Sequence, residues 1–161
     1  MKKLFFIFLS FSAAITLKAQ SDKTGSGGTS KSIYLEVGGG GLGFSANFDS
    51  RFMGSSGFGF RAGVGVLPLS SVTIVTIPVG LNYLVGRGSS HFEAEVTGTI
   101  LSETGGHKFN GKALSTVLIF PHIGYRYTKP SKSFLGRIYA GPMFFGSVVR
   151  PFAGISLGYT L

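Results

Sequence analysis

The chain has 161 residues, 26 of them Gly and 16 Phe, with no Cys, no Trp and a formal net charge of +9. Charged residues supply 13% of it, about half the usual share, too few for the exterior of an ordinary water-soluble domain. The length fits one domain, the lack of Cys excludes disulfides and a lipid-anchored lipoprotein, and the scattered basic residues argue against a nucleic-acid partner.

The chain opens with "MKKLFFIFLSFSAAITLKAQ". Lys2 and Lys3 precede an apolar stretch from Leu4 to Leu17, and small or polar residues follow. That order is a secretory signal peptide, expected over residues 1–19. The apolar stretch is shorter than the ~20 residues of a spanning helix. Residues 20–32, with "SDKTGSGGTSKS", are Gly/Ser-rich and lack an apolar period, so they read as a flexible leader.

From residue 33 onward the hydrophobic period is two. In "GFGFRAGVGV", Phe58, Phe60, Ala62, Val64 and Val66 alternate with Gly59, Arg61, Gly63 and Gly65. In "TIPVGLNYLVG", Ile77, Val79, Leu81, Tyr83 and Val85 oppose Thr76, Pro78, Gly80 and Asn82. In "HFEAEVTGTI", Phe92, Ala94, Val96 and Ile100 oppose Glu93, Glu95, Thr97 and Thr99. The closing "FAGISLGYTL" repeats the pattern. Eight strands are predicted, at 33–40, 41–52, 57–68, 73–86, 91–103, 115–128, 133–145 and 151–161. Residues 33–52 read either as two strands or as one strand bent at the Gly38–Gly41 run. One strand would be about twice a membrane span and would leave an odd strand count. A tight turn is therefore expected in the Gly run.

Eight alternating strands suit a soluble barrel with an apolar interior or a membrane barrel with an apolar exterior. Volume favours the second. An eight-stranded barrel has just enough room inside for side chains, and the Gly/Ser/Thr-rich face fits there better than the Phe/Val/Ile/Leu/Tyr face. The predicted class is all-β, an eight-stranded antiparallel transmembrane β-barrel over residues 33–161. Phe52, Phe58, Tyr83, Phe92, Tyr125, Tyr127, Phe134 and Tyr159 all fall on the outward face near one rim, as an interfacial aromatic girdle would. The turns on that rim, "GSS", "RGSS" and "KPSKS", are short. The opposite side has "TGGHKFNGKA" as its longest loop.

The same alternation points most of the acidic residues inward. Glu36, Asp49, Glu93 and Glu95 face the lumen with Arg61, Arg126 and Arg137, and with Arg51 if its strand extends that far. Asn47, Asn82, His122 and Tyr139 join them. Buried ions need partners, and the arginine fork suits carboxylates. A salt-bridged plug is the expectation; a narrow polar pore or proton-responsive gate is the alternative. Porins use 16 to 18 strands, so a wide channel is not expected.

Catalysis is not expected. Glu93 and Glu95 have a spacing that a glycosidase pair could use, but a sugar polymer cannot enter so small a filled barrel. A lipid-modifying site needs His, Ser and an acid on the outward side near the outer leaflet. Only His107 with Glu103 and Ser102 lies near that height, borne on a loop. No two His residues share metal-ligand spacing, and the Gly-rich stretches lack the strand-to-helix context of a phosphate loop. No metal or cofactor is expected.

The stretches "IPVGLNYLVG", "PHIGYRY" and "AGISLGYTL", together with the leader's "KAQ", resemble the small outer-membrane β-barrel proteins of Bacteroidota, eight-stranded barrels of the OmpA/OmpW type. The resemblance covers most of residues 33–161. It implies a cell outer-membrane location, insertion by the barrel assembly machinery, and outer-membrane lipid and lipopolysaccharide as surroundings. Gly154, Leu157 and Tyr159 fit the family's C-terminal insertion signal, with Leu161 where a final aromatic is usual. The expected role is structural or surface-exposed and non-enzymatic. The alternative is a narrow pore or a barrel that binds or transports a small apolar ligand; a lipid-A-modifying enzyme ranks third.

Overall fold

The structure, a computed structural model, describes residues 29–70, 72–104, 116–129 and 134–161. The expected signal peptide, most of the leader, most of "TGGHKFNGKA" and His107 lie outside these residues. The described residues form a closed antiparallel barrel of eight strands in sequential order. The strands are β1 (Lys31–Gly38), β2 (Phe44–Arg51), β3 (Gly57–Pro68), β4 (Thr73–Arg87), β5 (Ser90–Thr104), β6 (Thr116–Thr128), β7 (Leu135–Phe145) and β8 (Val148–Thr160). Pairing of β1 with β8, from Ser32↔Thr160 to Gly38↔Gly154, closes the sheet. A closed sheet has no edge strand left to pair elsewhere.

Polarity is inverted relative to a water-soluble barrel. Phe92 and Ile123 are 73% exposed, whereas Arg61 is 0% exposed. Leu35, Val79, Leu81, Val96, Ile138 and Leu157 are exposed on the same outer surface. The alternation arises because consecutive side chains point to opposite faces of a strand.

The Gly run makes the turn expected there, in a particular form. Gly39–Gly41 is a single 3₁₀ turn between β1 and β2, and all three glycines are buried. The turn folds down into the lumen and does not project from the rim. Thr76 Oγ1 donates to the Gly41 carbonyl at 3.0 Å and Thr99 Oγ1 to the Gly40 carbonyl at 2.6 Å. Glycine is required at Gly39, where φ is +55° and an added Cβ would run into the Tyr139 ring.

Three details differ from the alternation-based expectation. Strand β2 begins at Phe44, three residues later than expected, because the turn takes up Gly39–Gly41 and Leu42 ends it. Strand β8 begins at Val148, three residues earlier than expected, because Gly146 and Ser147 alone make the β7–β8 turn. The lumen also holds large side chains: Tyr34, Leu84, Leu118, Phe120 and Leu135 are buried along with Tyr139. Glycines on facing strands give them room. A Cβ at Gly158 would meet Tyr34, and one at Gly154 or Gly124 would meet Tyr139. The expectation of a small-residue interior was therefore too strict. Paired small and large positions fill the barrel.

Candidate functional site in the barrel lumen

The centre of the lumen is an unbroken chain of alternating charges. Its order is Arg51–Asp49–Arg126–Glu93–Arg137–Glu95–Arg61–Glu36. All eight residues are buried. Four carboxylates meet four arginines, so the chain carries no formal excess.

Each link has its own geometry. Arg51 Nη2 donates to both Asp49 oxygens, at 2.9 and 2.8 Å. Arg126 spans two carboxylates: Nη1 and Nη2 reach Asp49 at 3.0 and 3.1 Å, while Nε and Nη2 reach Glu93 at 3.1 and 2.7 Å. Arg137 forks to Glu93 through Nε and Nη2, at 3.0 and 2.9 Å, and reaches Glu95 Oε2 at 2.8 Å. Arg61 Nη1 donates to Glu36 Oε2 at 2.6 Å. Its Nε lies 2.7 Å from Glu95 Oε1, close enough for ion pairing but poorly aligned for a hydrogen bond. Bidentate arginine–carboxylate pairs of this kind are strong and orientation-specific.

Neutral groups complete the network. Asn82 Nδ2 donates to Asp49 Oδ2 at 2.6 Å, and its Oδ1 faces Arg51. Thr97 Oγ1 donates to Glu95 at 2.7 Å. Glu36 accepts from the Gly41 amide at 2.9 Å and from Ser45 and Ser156 hydroxyls at 3.3 and 3.5 Å. Asn47 donates to Ser45 at 2.9 Å. His122 places Nε2 3.5 Å from Glu95 and Nδ1 3.2 Å from the Phe120 carbonyl. Its ring lies against Phe120 and Tyr139, with centroids 4.7 and 4.4 Å away. Through these contacts all eight strands touch the same network.

The inward residues read from alternation are thus found together: Glu36, Asp49, Arg61, Asn82, Glu93, Glu95, His122, Arg126, Arg137 and Tyr139 are all buried. Arg51, conditional on the length of β2, is inside at 2% exposure. Tyr34 was not singled out. Its ring and that of Tyr139 both approach the Arg137 guanidinium, at 4.6 and 5.1 Å. The signal for it was present, since Tyr34 lies two residues before Glu36 and shares its face.

This arrangement makes a definite demand on Arg137. Lysine would keep the charge but lose the planar fork and the stacking on two rings. Arg137→Lys should lower stability by about 2 kcal/mol, read as a lower urea unfolding midpoint of the refolded barrel. An unchanged midpoint would mean that the fork to Glu93 and Glu95 is not maintained.

Within this run of ions each of the four carboxylates lies against at least one guanidinium. Among the described residues no cluster of three metal-ligating side chains occurs. At the rim that carries both described termini, the eight girdle residues are all exposed: Phe52, Phe58, Tyr83, Phe92, Tyr125, Tyr127, Phe134 and Tyr159. Phe58 packs on Tyr83 with centroids 4.6 Å apart, and Phe92 meets Tyr125 edge-on at 6.3 Å.

No protein-family model matches the chain, and no curated protein matches it either. Among solved structures, the chain is similar to the N-terminal β-barrel domain of OprF from Pseudomonas aeruginosa, with a TM-score of 0.59 and 8% sequence identity. The match covers 83% of this chain and 96% of that one. At this identity the likeness is one of fold: a closed all-β barrel.

Proposed function

We propose that this chain is an integral outer-membrane barrel whose lumen is plugged by its own ion network, with a structural or surface role and no catalytic one. The observation that carries this reading is the inverted polarity. Large apolar side chains cover the outside while a run of paired ions fills the inside. In water that exterior would be an aggregation surface; in a bilayer it is the ordinary lipid face of a barrel. The aromatic rim and the short turns beside it suit the periplasmic interface; in this reading the glycine turn lies toward the outer mouth. Outer-membrane lipid and lipopolysaccharide would then be its surroundings, and the barrel assembly machinery its partner during insertion.

Two measurements test the reading. Refolded protein should migrate faster on a gel unheated than boiled, and the absence of a shift would count against a membrane barrel. In planar bilayers it should give no stable, discrete openings, since the ion chain and the glycine turn occupy the bore. Reproducible conductance steps would sink the plug and favour a pore.

A further inference from the structure

Above the glycine turn, the outer mouth of the barrel holds a cavity of about 320 Å³ that the plug does not fill. Leu42, Leu67, Leu118, Met143 and Phe152 line it. Its lining comes from β3, β6, β7 and β8, so it spans the bore. Leu42 follows the glycine turn and is the one non-glycine residue with positive φ among the described residues, at +67°. Strain of this kind persists where the surroundings impose it and clusters at ligand sites. Among the described residues, Arg150 is the one charged side chain in the lining, and it is exposed. An apolar chamber with a guanidinium at its margin complements a ligand with one apolar chain and one anionic head.

The wall beside this cavity is interrupted. In the β6–β7 ladder, pairing stops at Ile119↔Phe144 and resumes at Ile123↔Ala140 in the same register. The gap sets Pro121 opposite Pro142, and neither can donate a backbone hydrogen bond. Pro142 lies opposite Pro151 on β8, so three prolines stand side by side on the outer face. Met143, within the gap, also lines the cavity. A second gap faces Pro78, in the β3–β4 ladder. There the interior is occupied, because Pro78 pairs with Thr99 and the Thr99 hydroxyl holds the glycine turn. Unpaired backbone is costly in lipid. Of these two gaps among the described residues, the β6–β7 seam is the one beside the apolar cavity.

We infer that the outer mouth is a binding site for a single-chain anionic amphiphile, admitted sideways from the membrane through the Pro121–Pro142 seam. The cavity falls at the small end of the range for small-molecule sites. Leu42, which ends the glycine turn, lines it, and the buried turn and the ion chain occupy the bore, so the ligand is held and does not pass through. The sideways route rests on membrane insertion, which the gel shift reports separately.

The chain has no Trp, so Phe145→Trp, on the cavity margin, gives a single reporter. Vesicle-inserted protein would be titrated with bromine-labelled dodecanoate, which quenches Trp on contact. Saturable quenching is expected. Affinity should fall about tenfold in Arg150→Gln and about tenfold for the uncharged bromododecanol. Filling the cavity with Leu67→Phe and Val148→Phe should abolish the saturable part. Quenching that never saturates, or that ignores both the filled cavity and the head-group charge, overturns the site. Pro121→Val with Pro142→Val restores both missing donors. From vesicles preloaded with the probe, quenching should then appear at least severalfold more slowly with unchanged final amplitude. Pro142→Val alone serves if the double variant shows no gel shift. An unchanged rate overturns the sideways route and points to access from water.

Discussion

Glu93→Gln should be the most damaging conservative change in the lumen. Glu93 accepts four hydrogen bonds from two arginines, Arg126 and Arg137. Glutamine keeps the shape but removes the charge, and it turns an NH₂ group toward a guanidinium. Arg126 retains Asp49 and Arg137 retains Glu95, but the chain of alternating charges is cut in the middle. Breaking one partner out of a buried ion pair costs about 3–5 kcal/mol, because the remaining charge is left uncompensated. The measurement is the urea unfolding midpoint of the refolded barrel in lipid vesicles. Glu95→Gln should behave similarly, since Glu95 lies between Arg61 and Arg137. Midpoints equal to that of the unchanged protein would show that these carboxylates are solvated. Buried pairs do not guarantee net stabilisation, and well-packed apolar replacements of a whole pair can be neutral. The prediction therefore concerns removing one member of the chain, not replacing the set.

The inward placement of Glu93 was readable from the sequence because a strand has a strict period of two. Once Phe92 and Ala94 face outward, Glu93 and Glu95 have only the lumen to face. The same parity applies to Arg61, Arg126 and Arg137. Which arginine meets which glutamate was not readable. Arg137 on β7 reaches Glu93 and Glu95 on β5 across an intervening strand, which depends on barrel tilt and stagger and not on alternation. Arg51 depended on where β2 ends. The Gly38–Gly41 run signalled a turn, but the inward fold of that turn depends on Thr76, Thr99 and Glu36, which lie on three different strands. The Pro121–Pro142 seam has the same character: two ordinary prolines in sequence acquire meaning only when the register sets them face to face.

Gly39→Val should be as severe as the loss of Glu93, for a different reason. At φ +55° a β-branched residue is strained by about 1–2 kcal/mol. The added side chain would also strike the Tyr139 ring, which cannot move away easily because it packs against His122 and Arg137. The turn would have to lift out of the lumen. Thr76 and Thr99 would then lose their carbonyl acceptors, and Glu36 would lose the Gly41 amide, at about 1 kcal/mol for each bond. The total comes to about 4–5 kcal/mol, seen as a lowered urea midpoint. Gly57→Val is the matched control. Gly57 also has positive φ, +83°, but nothing lies within 4 Å of an added Cβ. Its cost should be backbone strain alone, about 1–2 kcal/mol. Tyr139→Ala in the Gly39→Val background should recover part of the loss by removing the obstacle. If Gly39→Val is no worse than Gly57→Val, the turn is not seated against Tyr139. Leu42, which follows the turn and lines the outer cavity, would then have to be placed elsewhere.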